Sequence, residues 1–362
     1  MAKPAGRIPT LDGLRAVAIG FVLISHTARF GHSTTARIIE LFGELGVRVF
    51  FVLSGFLITT LLIREHGKTG RIDLRAFFVR RVFRIFPAFF TFLAVMGVLA
   101  VTDVLPIPGR DFVFAATYTM NFVTPDPWYL GHAWSLAVEE QFYLLWPVTV
   151  VVVGIARAER VAIAAIIVAP ILRVAAEIWM PWIDDIADHA FPLVFDGLAL
   201  GCLLALARTR LEASPRYLAA LRAWWFWLVP IAGLAVLVIT LAHVGPLGNP
   251  RYFAVARSIS AITIAAVVHR CVLTPTSLLG RFLETAPLVW VGTLSYSLYL
   301  WQQPFSNHVV HAWYTTFPLS WGFALAAACG SYYLVERPIL RWRARVVTRT
   351  LAEARGPRPE AR

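Results

Sequence analysis

Charge is what this sequence has least of. Only 15% of its 362 residues are charged, against about a quarter in an average soluble domain. That balance excludes an ordinary water-soluble globule and points to a multi-pass membrane protein. Cysteine is scarce too. Cys202, Cys271 and Cys329 lie in apolar stretches without CxxC spacing, which argues against a disulfide framework or a zinc site. No internal repeat is evident, which counts against a transporter built from inverted halves. The net charge of +12 does not mark a nucleic-acid partner, because the basic residues collect in loops between apolar spans.

What the chain does contain is apolar sequence: 58% of its residues are hydrophobic. Ten spans are expected, at 12–30, 45–63, 85–103, 134–155, 161–180, 190–207, 223–243, 253–272, 286–305 and 316–335. Most are long enough to cross about 30 Å of hydrocarbon. The segment 112–123 is apolar but short. If it does not cross, both termini and the basic loops 64–84, 156–160, 208–222 and 271–285 fall on the cytoplasmic side of the plasma membrane. It is therefore expected to be re-entrant or interfacial. The expected fold is an all-α polytopic bundle, one membrane domain over 1–345 followed by a polar cytoplasmic tail at 346–362. The first apolar run is expected to be a retained helix and not a signal peptide, since Asp12 and Arg15 interrupt it.

That first helix, LDGLRAVAIGFVLISH, sets Arg15 and His26 on one stripe. Eleven residue steps make about three turns and roughly 16 Å. Ionisable groups inside a membrane usually face a bundle interior or a watery cavity. The pair therefore reads either as a path through the protein or as a snorkelling arginine plus a structural histidine. In the second span, Ser54 and Gly55 permit close approach by another helix or by a ligand. Arg81 and Arg84, in RAFFVRRVFRIFP, share one helix face. Their forked guanidinium groups suit phosphate oxygens, although a plain positive-inside flank has the same composition.

The segment GHAWSLAVEEQFYLLWP carries Glu139 and Glu140 about two turns inside an apolar helix. Adjacent positions point about 100° apart, so only one can face a given site. Glu139 is expected at the depth of His26, where a carboxylate could orient the imidazole as a general base. Glu140 is expected to pair elsewhere, with Arg48 or Arg173. Asp196 could join a polar cavity or cap a helix. His308 and His311 are three apart, but with no third ligand nearby no metal site is expected.

Taken together these segments resemble the acyltransferase 3 family, multi-pass membrane enzymes that O-acylate extracytoplasmic glycans, peptidoglycan and some antibiotics. The matching motifs are LDGLRAVA with His26, VRVFFVLSGFLI, RVFR before IFP, WSLAVEEQFYLLWP, FDGLALGCLLA, LSYSLYLWQQP and ERPILRW, in family order. The resemblance implies His26 as catalytic base, Arg15 as its motif partner and Glu139 as an essential carboxylate. It implies Arg81 and Arg84 as contacts to coenzyme A phosphates, and Ser54, from its own place in the second span, is also expected on the donor side. Trp134, Ser135, Tyr143, Ser295, Tyr296, Tyr299 and Glu336 match motif positions and are expected to line or pack. Gln302 stands where many relatives carry histidine.

The implied activity is transfer of an acyl group, acetyl or another short one, from cytoplasmic acyl-coenzyme A to a hydroxyl of an extracytoplasmic acceptor. The expected form lacks the fused hydrolase-like domain of some relatives. The partners are the lipid bilayer, acyl-coenzyme A and a hydroxyl-bearing glycan or small molecule, with no metal and no nucleic acid. The alternative from another class is a proton-coupled transporter, since a membrane-embedded His, Arg and Glu set would serve one.

Overall fold

The computed structural model describes residues 8–27, 34–124, 127–180, 186, 189–243, 251–307 and 312–345. The expected tail at 346–362 and the pair His308 and His311 lie outside the described residues. Within them the chain is all-helical, with no strand. The α-helices are α1 (Pro9–Thr27), α2 (Thr34–Thr69), α3 (Leu74–Val101), α4 (Gly109–Ala116), α5 (Trp128–Gly131), α6 (Ala133–Val153) and α7 (Ile155–Trp179). They continue as α8 (Phe191–Val194), α9 (Asp196–Glu212), α10 (Pro215–Arg222), α11 (Leu228–His243), α12 (Arg251–Leu273), α13 (Leu278–Leu283), α14 (Ala286–Phe305) and α15 (Leu319–Gly330). After α15 the helix widens into a π segment, Ser331–Glu336, and runs on to residue 345.

Helix ends follow local chemistry. Asp73 caps α3 by accepting the Ala76 amide at 2.9 Å, and Ser277 caps α13 by accepting the Gly280 amide at 3.1 Å. Gly154, at φ +80°, breaks the chain between α6 and α7 where a side chain would be strained. Expected loops turn out to be helical. Arg81 and Arg84 sit inside α3, and Arg157 and Arg160 inside α7. Polar helix ends extend past the apolar stretches because i,i+4 ion pairs support them, such as Arg48 with Glu44 at 2.7 Å in α2.

Five helices are long and apolar enough to cross a membrane, and a sixth results if the bent pair Pro215–Arg222 and Trp224–Thr240 is one span. This is fewer than the ten expected from sequence. The remaining expected spans fall on α1, on α8 and α9, on α14, and on α15 with its π segment. Each is shorter, interrupted, or polar along a face turned inward. The segment 112–123 forms only α4 and a single 3-10 turn, Met120–Phe122. At about 1.5 Å per residue α4 is roughly 12 Å long, too short to cross.

The core around the site is set by close helix crossings. At the α2–α9 crossing, a Cβ on Gly55 would strike the Leu198 carbonyl, and one on Gly201 would strike the Val52 carbonyl. Gly55 therefore serves helix packing, while its neighbour Ser54 faces a cavity. Gly292 of α14 meets the Asp12 carbonyl of α1 in the same way. These contacts leave α1, α2, α3, α6 and α14 around a common polar interior.

Candidate active site

Two cavities adjoin in that interior. The first, about 100 Å³, is lined by Arg15 of α1, Ser54 of α2, Arg81 and Arg84 of α3, and Glu139 and Tyr143 of α6. It gathers three guanidinium groups from two helices onto one space. Ser54 Oγ donates to Glu139 Oε1 at 2.8 Å and Tyr143 Oη donates to Glu139 Oε2 at 3.1 Å. Arg81 lies over the Tyr143 ring, 4.5 Å from its centroid, and 5.8 Å from that of Phe77. Arg15 stands 3.7 Å from Asp12. Ser135, Ser295, Tyr296 and Tyr299 complete the wall, so five of the motif residues expected to line or pack do line this cavity.

The second cavity, about 350 Å³, is lined by His26, Glu44, Trp128, His132, Trp134 and His189 among others. His26 Nδ1 meets Gln302 Oε1 at 2.9 Å. Gln302 Nε2 in turn donates to Gln303 Oε1 at 2.8 Å. Trp128 sets its ring edge-on to His26, centroids 6.0 Å apart, and its indole N–H donates to the Gln303 carbonyl at 3.2 Å. Val47 and Tyr299 line both cavities. The stripe of α1 carrying Arg15 and His26 thus faces the interior at both of its ends.

Two expected pairings are corrected. Glu139 does not orient His26, since its partners are Ser54 and Tyr143. Axial depth fixes only height, and the direction of Glu139 around α6 carries it toward α2. Gln302 holds the position at His26 Nδ1 instead. Nor does Glu140 pair with Arg48 or Arg173. Arg48 bonds Glu44 at 2.7 Å and Ser260 at 3.0 Å, and Arg173 is taken by Asp196. Glu140 is half-buried and makes no hydrogen bond or ion pair.

Of the two roles expected of it Asp196 takes the cavity one, and no side chain caps α9. It opens α9, where it accepts the Gly197 amide at 3.1 Å. It also lines a third cavity, about 90 Å³, beside Arg48, Arg173 and Arg257. Its carboxylate takes two bonds from Arg173, at 2.7 and 3.2 Å, and one from Ser258 at 2.5 Å, which ties α7, α9 and α12 together. Glu336, in the π segment, is buried and accepts from Ser297 Oγ. Trp128, His132 and Gln303 carry no signal that spacing could read, because they come to His26 from distant helices. No group of three or more His, Cys, Asp or Glu side chains suited to a metal occurs among the described residues.

A known acyltransferase domain matches residues 8–336. The chain belongs to the acyltransferase 3 family. Among its curated relatives is the putative peptidoglycan O-acetyltransferase YrhL of Bacillus subtilis, 29% identical over 92% of this chain and 55% of that protein. The O-acetyltransferase OatA of Staphylococcus aureus is 30% identical over 82% of this chain and 50% of its own length. The putative O-acetyltransferase SACOL0978 of the same species is 31% identical over 85% and 52%. The chain spans about half the length of these relatives. No solved structure matches it significantly. Within this family, the motif residues at Arg15, Ser54, Arg81, Arg84 and Glu139 line one cavity, and His26 lines the cavity that adjoins it.

Proposed function

We propose that this protein is a membrane O-acyltransferase that takes an acetyl or other short acyl group from cytoplasmic acyl-coenzyme A. Its acceptor is a hydroxyl of an extracytoplasmic glycan of the peptidoglycan class. The observation that carries the reading is the adjoining pair of cavities, one lined by arginines and one by histidine, sharing Val47 and Tyr299. Arg81 and Arg84 hold the donor phosphates at the cytoplasmic mouth, where guanidinium forks match phosphate oxygens. Arg15 lines the route along which the pantetheine arm carries the thioester. Glu139, locked by Ser54 and Tyr143, supplies the counter-charge that lets three arginines share a low-dielectric space.

At the far end His26 acts as general base. Gln302 Oε1 can only accept, so Nδ1 carries the hydrogen and Nε2 keeps its lone pair. Nε2 takes the proton of the acceptor hydroxyl as its oxygen bonds to the thioester carbon. The carbon–sulfur bond breaks, and His26 returns the proton to the leaving thiolate. The products are an O-acylated acceptor and free coenzyme A.

Detergent-purified wild type, His26→Ala and Arg84→Ala incubated with radiolabelled acetyl-coenzyme A and solubilised glycan strands test this. His26→Ala is expected to keep donor binding and lose turnover by about 10²–10⁴-fold. Arg84→Ala is expected to lose donor binding. Retained turnover in His26→Ala sinks the mechanism, and no donor binding by wild type favours a carrier.

A further inference from the structure

His132 is a second imidazole in the cavity of His26, and nothing in the mechanism above uses it. It is 4% exposed, yet neither of its ring nitrogens makes a hydrogen bond. The Leu300 backbone acts on the ring electrostatically but makes no hydrogen bond with it. The surroundings nonetheless hold the residue firmly. Its backbone carbonyl accepts from Tyr299 Oη at 2.8 Å and from Ser135 Oγ at 3.3 Å, and those two hydroxyls meet at 2.6 Å. Its ring stands edge-on to Phe92, centroids 5.7 Å apart, and tilted against Tyr299 at 5.5 Å. The backbone is thus fully bonded and the ring fixed in place, while the polar atoms of that ring are left for something else. Buried polar groups are rarely left so, and in a cavity wall a bound ligand is one physical reason for it.

We infer that His132 anchors the acceptor, hydrogen-bonding a second hydroxyl of a polyol beside the one that His26 deprotonates. The inference rests on the acyl-transfer reading and adds a specificity residue to it. An imidazole that makes no hydrogen bond to the protein takes a hydroxyl in either sense, as donor or as acceptor. An apolar occupant would leave both nitrogens unpaired, and an anion would meet Glu40 and Glu44 on this wall. The same cavity presents the Trp128 ring, an apolar surface against which a sugar ring can lie. Two hydroxyls held at once set which one meets Nε2 of His26, so the site selects the position that is acylated.

The test uses the full-length protein, acetyl-coenzyme A and solubilised peptidoglycan glycan strands, with wild type, His132→Ala, His132→Gln and His26→Ala side by side. His132→Ala is expected to raise the acceptor KM about ten- to hundredfold. Its affinity for acetyl-coenzyme A stays at the wild-type value, and any fall in its thermal unfolding temperature is repaired in His132→Gln. His132→Gln, which restores a donor and an acceptor, recovers much of the loss. An unchanged acceptor KM overturns the inference. So does a loss of donor binding, or a fall in unfolding temperature that His132→Gln does not repair, since each assigns His132 to the donor half or to packing. These failures leave the acyl-transfer reading intact if His26→Ala remains inactive, whereas full turnover in His26→Ala overturns that reading itself.

Discussion

At its Nδ1 atom His26 meets a side chain that carries no charge. Gln302 reaches Nδ1 at 2.9 Å and is itself braced by Gln303 at 2.8 Å, while Trp128 leans on the ring and on the Gln303 carbonyl. An amide oxygen selects the tautomer as a carboxylate would, without burying a second charge beside the imidazole. Gln302→Met keeps the volume and removes that acceptor. Its kcat is expected to fall about ten- to hundredfold while acetyl-coenzyme A binding is unchanged, read by turnover and by equilibrium binding on the same preparation. Equal kcat in the two proteins would mean that Gln302 only packs.

At the scale of elements, the site depends on how near the helices come. The α2–α9 crossing allows no side chain at Gly55 or Gly201, because a Cβ at either would meet backbone of the partner helix. Backbone cannot rotate aside as a side chain can, so even one methyl forces the helices apart. Gly201→Ala is expected to cost about 1–3 kcal/mol. Gly20, in α1, has nothing within 4 Å of a built Cβ, so Gly20→Ala is expected to stabilise by up to about 1 kcal/mol through helix propensity. Thermal unfolding of the two variants, followed by fluorescence-detected size exclusion, should move in opposite directions. The same crossing carries Ser54 to Glu139, so loosening it should also weaken donor binding.

For the whole molecule, the proposed direction of transfer depends on sidedness. Arg81 and Arg84 serve a cytoplasmic donor only if the α2–α3 turn faces the cytoplasm. Lys68, at the end of α2 just before α3 begins, and Val104, just after α3 ends, are both exposed and flank α3 on either side. In a background freed of Cys202, Cys271 and Cys329, Val104→Cys is expected to react with an impermeant maleimide on intact cells. Lys68→Cys is expected to react only after the membrane is permeabilised. The reverse pattern would place the arginine cavity outside and exclude a cytoplasmic donor.

The sequence by itself determined the membrane class, the helical character and the family, because composition, apolar run length and ordered motifs are properties of the chain taken locally. It also determined the stripe of Arg15 and His26 and the shared face of Arg81 and Arg84, since helix periodicity fixes neighbours three, four and eleven residues apart. Only the tertiary structure decided which polar group meets which. Glu139 turned to Ser54 and Tyr143, and Gln302, 276 residues from His26 in sequence, took the imidazole. It also reduced the helices able to cross alone to five or six, because α1 and α14 turn polar faces inward to line the site. The reason is geometric. Residue spacing sets height and angle on one helix, whereas a contact between helices depends on where their backbones cross, and at Gly55, Gly201 and Gly292 that is decided by atoms distant in the chain.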